Sequence, residues 1–208
     1  MMKEQVKRRC IDLTHAITTS MPTHAYDEPM CLKQIRNLAH HHYNDYQLTT
    51  GMHVGTHIDG PAHMLDVKTA ITDIPPDRFV GRGYLVDARG HDVIEPALLK
   101  DMPAQENLIV LVMTGTDKQW GSAVYFDNHP VISESFAQCL IDCKIKMLGI
   151  DMFSPDQPPF AMHKMLLKHD ILIAENLTNL DQLVVVTDFT VAALPLKIQA
   201  DSAPARVG

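Results

Sequence analysis

Three histidines and an aspartate fall within eleven residues in Gly51-Met52-His53-Val54-Gly55-Thr56-His57-Ile58-Asp59-Gly60-Pro61-Ala62-His63. Neutral imidazole nitrogen and carboxylate oxygen are ligands that borderline divalent ions such as Zn²⁺ and Mn²⁺ accept, and a carboxylate can bridge two ions. The chemistry open to such a cluster is metal-assisted hydrolysis, in which the pKa of a water falls from roughly 15.7 to about 7. The two histidines four apart are not the helical zinc motif, because Val54 stands where that motif needs Glu and Gly55, Gly60 and Pro61 oppose a helix. On an extended backbone residues two apart share a side, so the spacing predicts His53, Gly55, His57 and Asp59 on one face and Val54, Thr56 and Ile58 on the other. Gly55 then leaves room for an ion between two imidazoles, and Gly60-Pro61 turns the chain so that His63 faces the site from outside the strand. A single such histidine is ordinarily a hydrogen-bonded group near a strand end; four aligned groups favour a metal site.

Further ligands must come from elsewhere, since a closed structural zinc site uses four tightly spaced ligands, usually with Cys, and this segment has no Cys. His163 opens a helical pattern, and Glu175 ends the apolar run Ile171-Leu172-Ile173-Ala174. A carboxylate behind four apolar residues is costly to bury unpaired, so Glu175 is either at a solvated loop or bound to a cation. His169 competes with His163, and a helix surface is the plain reading of either. His40-His41-His42 reads as a solvated loop, because three adjacent side chains cannot face one ion from a regular strand and Asn44-Asp45 signals a turn. The segment Asp151-Met152-Phe153-Ser154-Pro155-Asp156 either lines a pocket or forms a turn whose Asp and Ser satisfy backbone groups. Cys10, Cys31, Cys139 and Cys143 show no CxxC pair and none sits beside a His, so they read as packing rather than nucleophiles.

The elements that must position these groups are mostly strands. Strand-like runs span Cys10 to Thr14, Tyr46 to His53, Tyr84 to Asp87, Leu108 to Met113, Met147 to Asp151, Ile171 to Ala174 and Leu183 to Val191. Helical patterns cover Glu95 to Met102, Ser133 to Cys143 with Ser133 as cap, and His163 to His169. Helix followed by apolar strand from Ser133 to Asp151 is an α/β crossover, so an α/β fold is expected, with a mixed sheet core and flanking helices. The chain has 208 residues, 46% apolar and 21% charged, with no repeat or linker, which fits one domain over residues 1–208. A formal net charge of −7 disfavours nucleic acid. The only basic run, Lys7-Arg8-Arg9, reads as a solvated start. No apolar stretch approaches the roughly 20 residues of a membrane span, and no signal segment follows Met1, so a cytoplasmic location is expected.

The segment from His53 to His63 resembles the HxGTHxDxPxH signature of the cyclase-like metal-dependent hydrolases, the family of bacterial kynurenine formamidases and isatin hydrolases, with every fixed position present. The resemblance extends to Ile11-Asp12-Leu13-Thr14, to Leu148-Gly149-Ile150-Asp151, and to His163 through His169 followed by Ile173-Ala174-Glu175-Asn176, nearly the whole chain. It implies a swivelling β/β/α-type fold and a homo-oligomer, a dimer or tetramer. It implies that His53, His57 and Asp59 bind one divalent ion, that Asp59 and Glu175 bridge to a second completed by His163, and that His63 is the catalytic acid/base. Zinc is the first expectation for the two ions and manganese the second. The implied substrate is a small-molecule amide, N-formylkynurenine, cleaved to kynurenine and formate. A cyclic amide such as isatin is the alternative, as is a metal-binding module without turnover; a fourth imidazole just past the ligand strand favours the enzyme. One departure concerns the substrate. Where kynurenine formamidases carry Trp before a Pro-Gly-Asp turn, this chain reads Met21-Pro22-Thr23-His24-Ala25-Tyr26-Asp27, leaving Tyr26 or Trp120 as candidates for an aromatic wall.

Overall fold

The computed structural model describes residues 9–122 and 124–208; Lys7 and Arg8 of the basic run lie outside them. In chain order the elements are β1 (Cys31–Arg36), α1 (Leu38–His41), β2 (Asp45–Thr49), β3 (His57–Asp59), β4 (Val80–Asp87), β5 (Val93–Ile94), β6 (Ile109–Met113), β7 (Val131–Ile132), α2 (Glu134–Asp142), β8 (Met147–Ile150), α3 (Ala161–Lys168), β9 (Leu172–Glu175), β10 (Thr190–Pro195) and β11 (Ser202–Val207). Seven strands close into a barrel in the order β10-β11-β3-β9-β8-β6-β4. The neighbours β4, β6, β8 and β9 are parallel, with α2 and α3 as the crossovers into β8 and β9. The remaining pairings are antiparallel and close the ring back onto β4. The expected mixed α/β architecture is present, with the sheet closed on itself.

Strand β6 reads Ile-Val-Leu-Val-Met and is buried at every position because both faces of the sheet are covered. Ile109, Leu111 and Met113 point into the barrel with Ile58, Met147, Leu172, Ala174 and Val191. Val110 and Val112 point outward, with Leu148, Ile150 and Ile173, to pack against Phe136 and Leu140 of α2 and Leu166 of α3. Helix α2 begins where expected, with the Ser133 hydroxyl accepting from the Phe136 amide at 3.1 Å, a cap worth typically about 1 kcal/mol.

Several elements differ from their expected extents. Residues 10–14 form no strand: Leu13 exchanges single backbone hydrogen bonds with Val207 and Thr178, and Thr14 makes one isolated bridge to Leu177. The run from Tyr46 ends at Thr49, because residues 51–56 turn. Leu183 to Val191 is split: Leu180–Leu183 is a 3₁₀ turn, Val184 and Val185 are exposed, and β10 starts at Thr190, where β4 supplies hydrogen-bond partners. Glu95 to Met102 is only a 3₁₀ turn over Pro96–Leu99; the Glu95 carboxylate accepts from Ser133 and Ser135 instead of capping its own helix, and Pro103 follows. His40 and His41 end a short exposed helix rather than lying in a loop, because Asn37 caps it by accepting from the His40 amide at 3.0 Å. Strand β11 escaped sequence reading since Ser202-Ala203-Pro204-Ala205 is poor in strand formers. No helix among the described residues is long and apolar enough to cross a membrane.

Gly149 in β8 faces the barrel interior, where a Cβ would stand 2.6 Å from Leu111 Cδ2 and 2.8 Å from Leu177 Cδ1. Gly149→Val is expected to destabilise the chain by about 1–3 kcal/mol through overpacking. Urea unfolding reads this as a lowered midpoint at unchanged slope; an unchanged midpoint would contradict the packing described.

Candidate metal centre

The site grows out of the β3–β9 register. His57 lies opposite Glu175 and Ile58 opposite Ala174, while Ser202 and Pro204 of β11 flank Asp59 and His57 on the other side. Ile58 and Ala174 belong to the barrel interior, so by strand alternation His57, Asp59 and Glu175 stand together on the outer face. Helix α3 lies along that face and brings in His163. The turn before β3 contributes His53, and the 3₁₀ turn Pro61–His63 contributes His63.

Asp59, with no exposed surface, is the centre of the group. Its Oδ1 lies 3.0 Å from His53 Nδ1 and 3.3 Å from His57 Nε2, and accepts from the Ser202 hydroxyl at 3.0 Å. Its Oδ2 lies 3.8 Å from His163 Nε2. Glu175 joins two histidines, with Oε1 3.1 Å from His163 Nε2 and Oε2 3.4 Å from His57 Nε2. His53, His57 and Asp59 each offer a ligand atom within 4.8 Å of the others; so do Asp59, His63 and His163, and so do His53, His63 and Asp201. The structure thus brings together all six residues singled out from the sequence.

Each of His53, His57 and His163 is held by an acceptor on the side away from the cluster. His57 Nδ1 donates to the Gly55 carbonyl at 2.8 Å, His53 Nε2 to Asp201 Oδ2 at 2.9 Å, and His163 Nδ1 to Asp156 Oδ1 at 2.5 Å. Metal-binding histidines are commonly oriented this way, with the second ring nitrogen tied to a carboxylate or carbonyl. Two atoms at the centre, His57 Nε2 and Asp59 Oδ2, are buried with no hydrogen-bond partner among the described residues. Orphaned buried polar groups cost roughly 1–3 kcal/mol each, and a cation between them would remove that cost. The N/O donor set, the inward nitrogens and the orphaned atoms all fit a divalent ion.

The electrostatics point the same way. Burial opposes charging of His57 and His53, yet the neighbouring carboxylates outweigh it and raise both, His57 well above its ordinary value. Burial likewise opposes ionisation of Asp59, but His57 and His53 hold its carboxyl well below the usual range. His63 differs: burial lowers it, and the charges on His53 and His163 add to that against the opposite pull of Asp59. It is the neutral imidazole of the group near pH 7, its Nδ1 3.3 Å from Asp201 Oδ2.

Some expectations about the segment need correcting. Only His57–Asp59 is extended, so His53 reaches the cluster from a turn rather than by strand alternation. Gly55 does not make space for an ion: its φ of +72° is left-handed backbone, and a Cβ there would stand 3.0 Å from Met21 Sδ. Its carbonyl instead receives His57 Nδ1 and, at 3.0 Å, the Asn176 amide. His169 caps the far end of α3 and takes no part. Of the two aromatic candidates, Tyr26 is 93% exposed with its ring 5.0 Å from that of His24, and Trp120 is stacked on His15 at 4.0 Å and edge-on to Tyr125 at 5.0 Å. His24 itself packs with Phe126 and Phe153, with centroids 5.4 and 5.7 Å away. Sequence reading missed Asp201 and Ser202, in a segment without periodicity, and left Asp156 undecided. A polar cleft of about 620 Å³ bordered by His91, Thr114, His129 and Gln157 contains none of the six residues.

The Cyclase family model (Putative cyclase) matches residues 11–157. Kynurenine formamidase of Bacillus mycoides is 32% identical over 165 residues, covering 77% of each chain. Among solved structures, a predicted metal-dependent hydrolase from Bacillus stearothermophilus shares 29% identity at a TM-score of 0.75, covering 95% of both chains. Isatin hydrolase A from Ralstonia solanacearum superposes at a TM-score of 0.85 over 95% of this chain and 89% of its own, with 22% identity, a likeness of fold. The chain belongs to the cyclase family of metal-dependent hydrolases.

Burial opposes the charge on His163, but Asp156 and Glu175 outweigh it and push its pKa up to about 10. A pKa raised above the ordinary 6.5 means stabilisation that is complete below about pH 6.5 and lost as pH climbs towards 10. A cation competes with that proton, so zinc binding to chelator-stripped protein at neutral pH should release at least one proton per chain and tighten with rising pH. Calorimetric titration in two buffers of different ionisation enthalpy counts the protons; zero release would contradict this electrostatic picture.

Proposed function

We propose that this chain is a divalent-metal amidohydrolase that cleaves an aryl formamide, N-formylkynurenine, to kynurenine and formate. The observation that carries the reading is the pair of orphaned buried atoms, His57 Nε2 and Asp59 Oδ2, ringed by inward-facing ligands with a neutral imidazole, His63, beside them. Two divalent ions, one held by His53, His57 and Asp59 and a second by Asp59, Glu175 and His163, zinc before manganese, would supply Lewis acidity and a water acidic enough to act near neutral pH. The similarity to kynurenine formamidase supports the choice of substrate.

The residues divide the remaining work. His63 is neutral at working pH, so it can take the proton that water loses as it adds to the formyl carbon and return it to the anilide nitrogen as the C–N bond breaks. Asp201, whose Oδ2 lies 3.3 Å from His63 Nδ1, favours hydrogen on that nitrogen and so leaves the other free for the exchange. Phe126, Phe153 and His24 form an aromatic cluster suited to an aryl ring, in place of the wall a Trp would give.

His63→Ala is expected to lose roughly 10²–10⁴-fold in turnover while keeping its metal content. Asp59→Asn should lose both, and equal metal loss in the two variants would sink the division of roles. Chelator-stripped protein resupplied with Zn²⁺ or Mn²⁺ should hydrolyse N-formyl-L-kynurenine in preference to isatin. Metal-restored opening of isatin alone would move the substrate to cyclic amides, and metal binding without turnover of either would reject the formamidase reading.

A further inference from the structure

Asp156 lies in the loop between β8 and α3, is 7% exposed, and uses its two carboxylate oxygens for different tasks. Oδ2 accepts from the Met162 amide at 2.6 Å and more weakly from the His163 amide at 3.4 Å. These are amides that the first turn of a helix leaves without partners. The residue that should cap α3, Phe160, is left-handed and offers no side-chain acceptor, so the cap is supplied from four residues upstream of it. Oδ1 receives His163 Nδ1 at 2.5 Å. The loop itself is closed by Ser154, whose hydroxyl donates to the Asp156 carbonyl at 2.6 Å, which restricts where the carboxylate can go.

One rigid carboxylate therefore sets both where α3 starts and which nitrogen of its histidine bears hydrogen. In the neutral ring, hydrogen on Nδ1 leaves the lone pair of His163 on Nε2, between Glu175 Oε1 at 3.1 Å and Asp59 Oδ2 at 3.8 Å. We infer that Asp156 is a positioning residue that locks the tautomer and ring plane of His163, so that the ion position shared with Glu175 depends on a side chain that never touches the ion. The inference rests on the metal reading above. A helix cap alone would predict lost stability without any effect on metal affinity; a tautomer lock predicts lost affinity for that ion.

Asp156→Asn separates the two. The amide oxygen can still accept from Met162, but an NH₂ group facing His163 Nδ1 would place the hydrogen on Nε2, where the ion must bind. Zinc titration of chelator-stripped Asp156→Asn should show the ion held by His163 weakened roughly 10–100-fold, with the His53-side ion unchanged. His163→Ala, run in parallel, should lose the same ion. Unchanged zinc affinity in Asp156→Asn while His163→Ala loses the ion would overturn the inference and leave the metal reading intact; unchanged binding in both would overturn both. Should Asp156→Asn not fold, long-range ¹⁵N–¹H spectra of zinc-loaded wild type give the answer directly: a protonated His163 Nδ1 is expected, and zinc on Nδ1 would overturn the inference.

Discussion

Asp59 has no exposed surface, and no Lys or Arg among the described residues pairs with it; its partners are His53, His57, His163 and the Ser202 hydroxyl. A bare carboxylate in such a place costs several kcal/mol unless it is neutralised and hydrogen-bonded. Glu175, also buried, stands one strand away with the same need. The neighbours that answer them are imidazoles, which can carry a proton or give a lone pair to a cation. Much of the surrounding architecture serves to keep two carboxylates and three imidazoles within reach of one another on the outside of a barrel.

The barrel does this through its double covering. Because β6, β8 and β9 are packed on the inner face by the barrel core and on the outer face by α2 and α3, the register that sets His57 against Glu175 is strongly specified; a one-residue slip of β3 would drive His57 and Asp59 into the apolar interior. Backbone and side chain are then tied across the same seam. Thr56 Oγ1 donates to the Asn176 carbonyl at 2.6 Å, the Asn176 amide donates to Gly55 O, and the Tyr125 hydroxyl donates to Asn176 Oδ1 at 2.7 Å. Ligands mounted on rigid elements and oriented by outer hydrogen bonds meet an ion without the entropy cost of first being ordered.

The same logic separates His63 from the ligands it resembles in type. It is carried by a short 3₁₀ turn rather than a strand, lies within ring contact of His53 at 4.1 Å, and shares Asp201 with it. Burial with too little compensating negative charge leaves it neutral, whereas His57 and His163 sit against carboxylates that favour their charged forms. In the proposed function one residue type would be divided between holding an ion and moving a proton, and the division would be made by environment.

Much of the candidate site was legible in the sequence because several of its groups are local: His57 and Asp59 are two apart on a strand, and the flanking Gly and Pro rule out the competing helix. Apolar runs at Leu108, Met147 and Ile171 announced the parallel strands, since a strand covered on both faces must be apolar throughout. What the linear order could not contain is contact between distant segments. Asp201, Ser202 and Asp156 gain their importance only when β11 is laid beside β3 and α3 onto β9, and no periodicity marks them. Gly55 was readable as a glycine but not as a left-handed turn, because φ is set by the fold that follows. Choice between His163 and His169 likewise depended on which face of α3 meets the sheet, a matter of packing. Residue chemistry was written locally; which imidazoles favour the charged form and which the neutral one was decided by burial and neighbours that exist only in the folded chain.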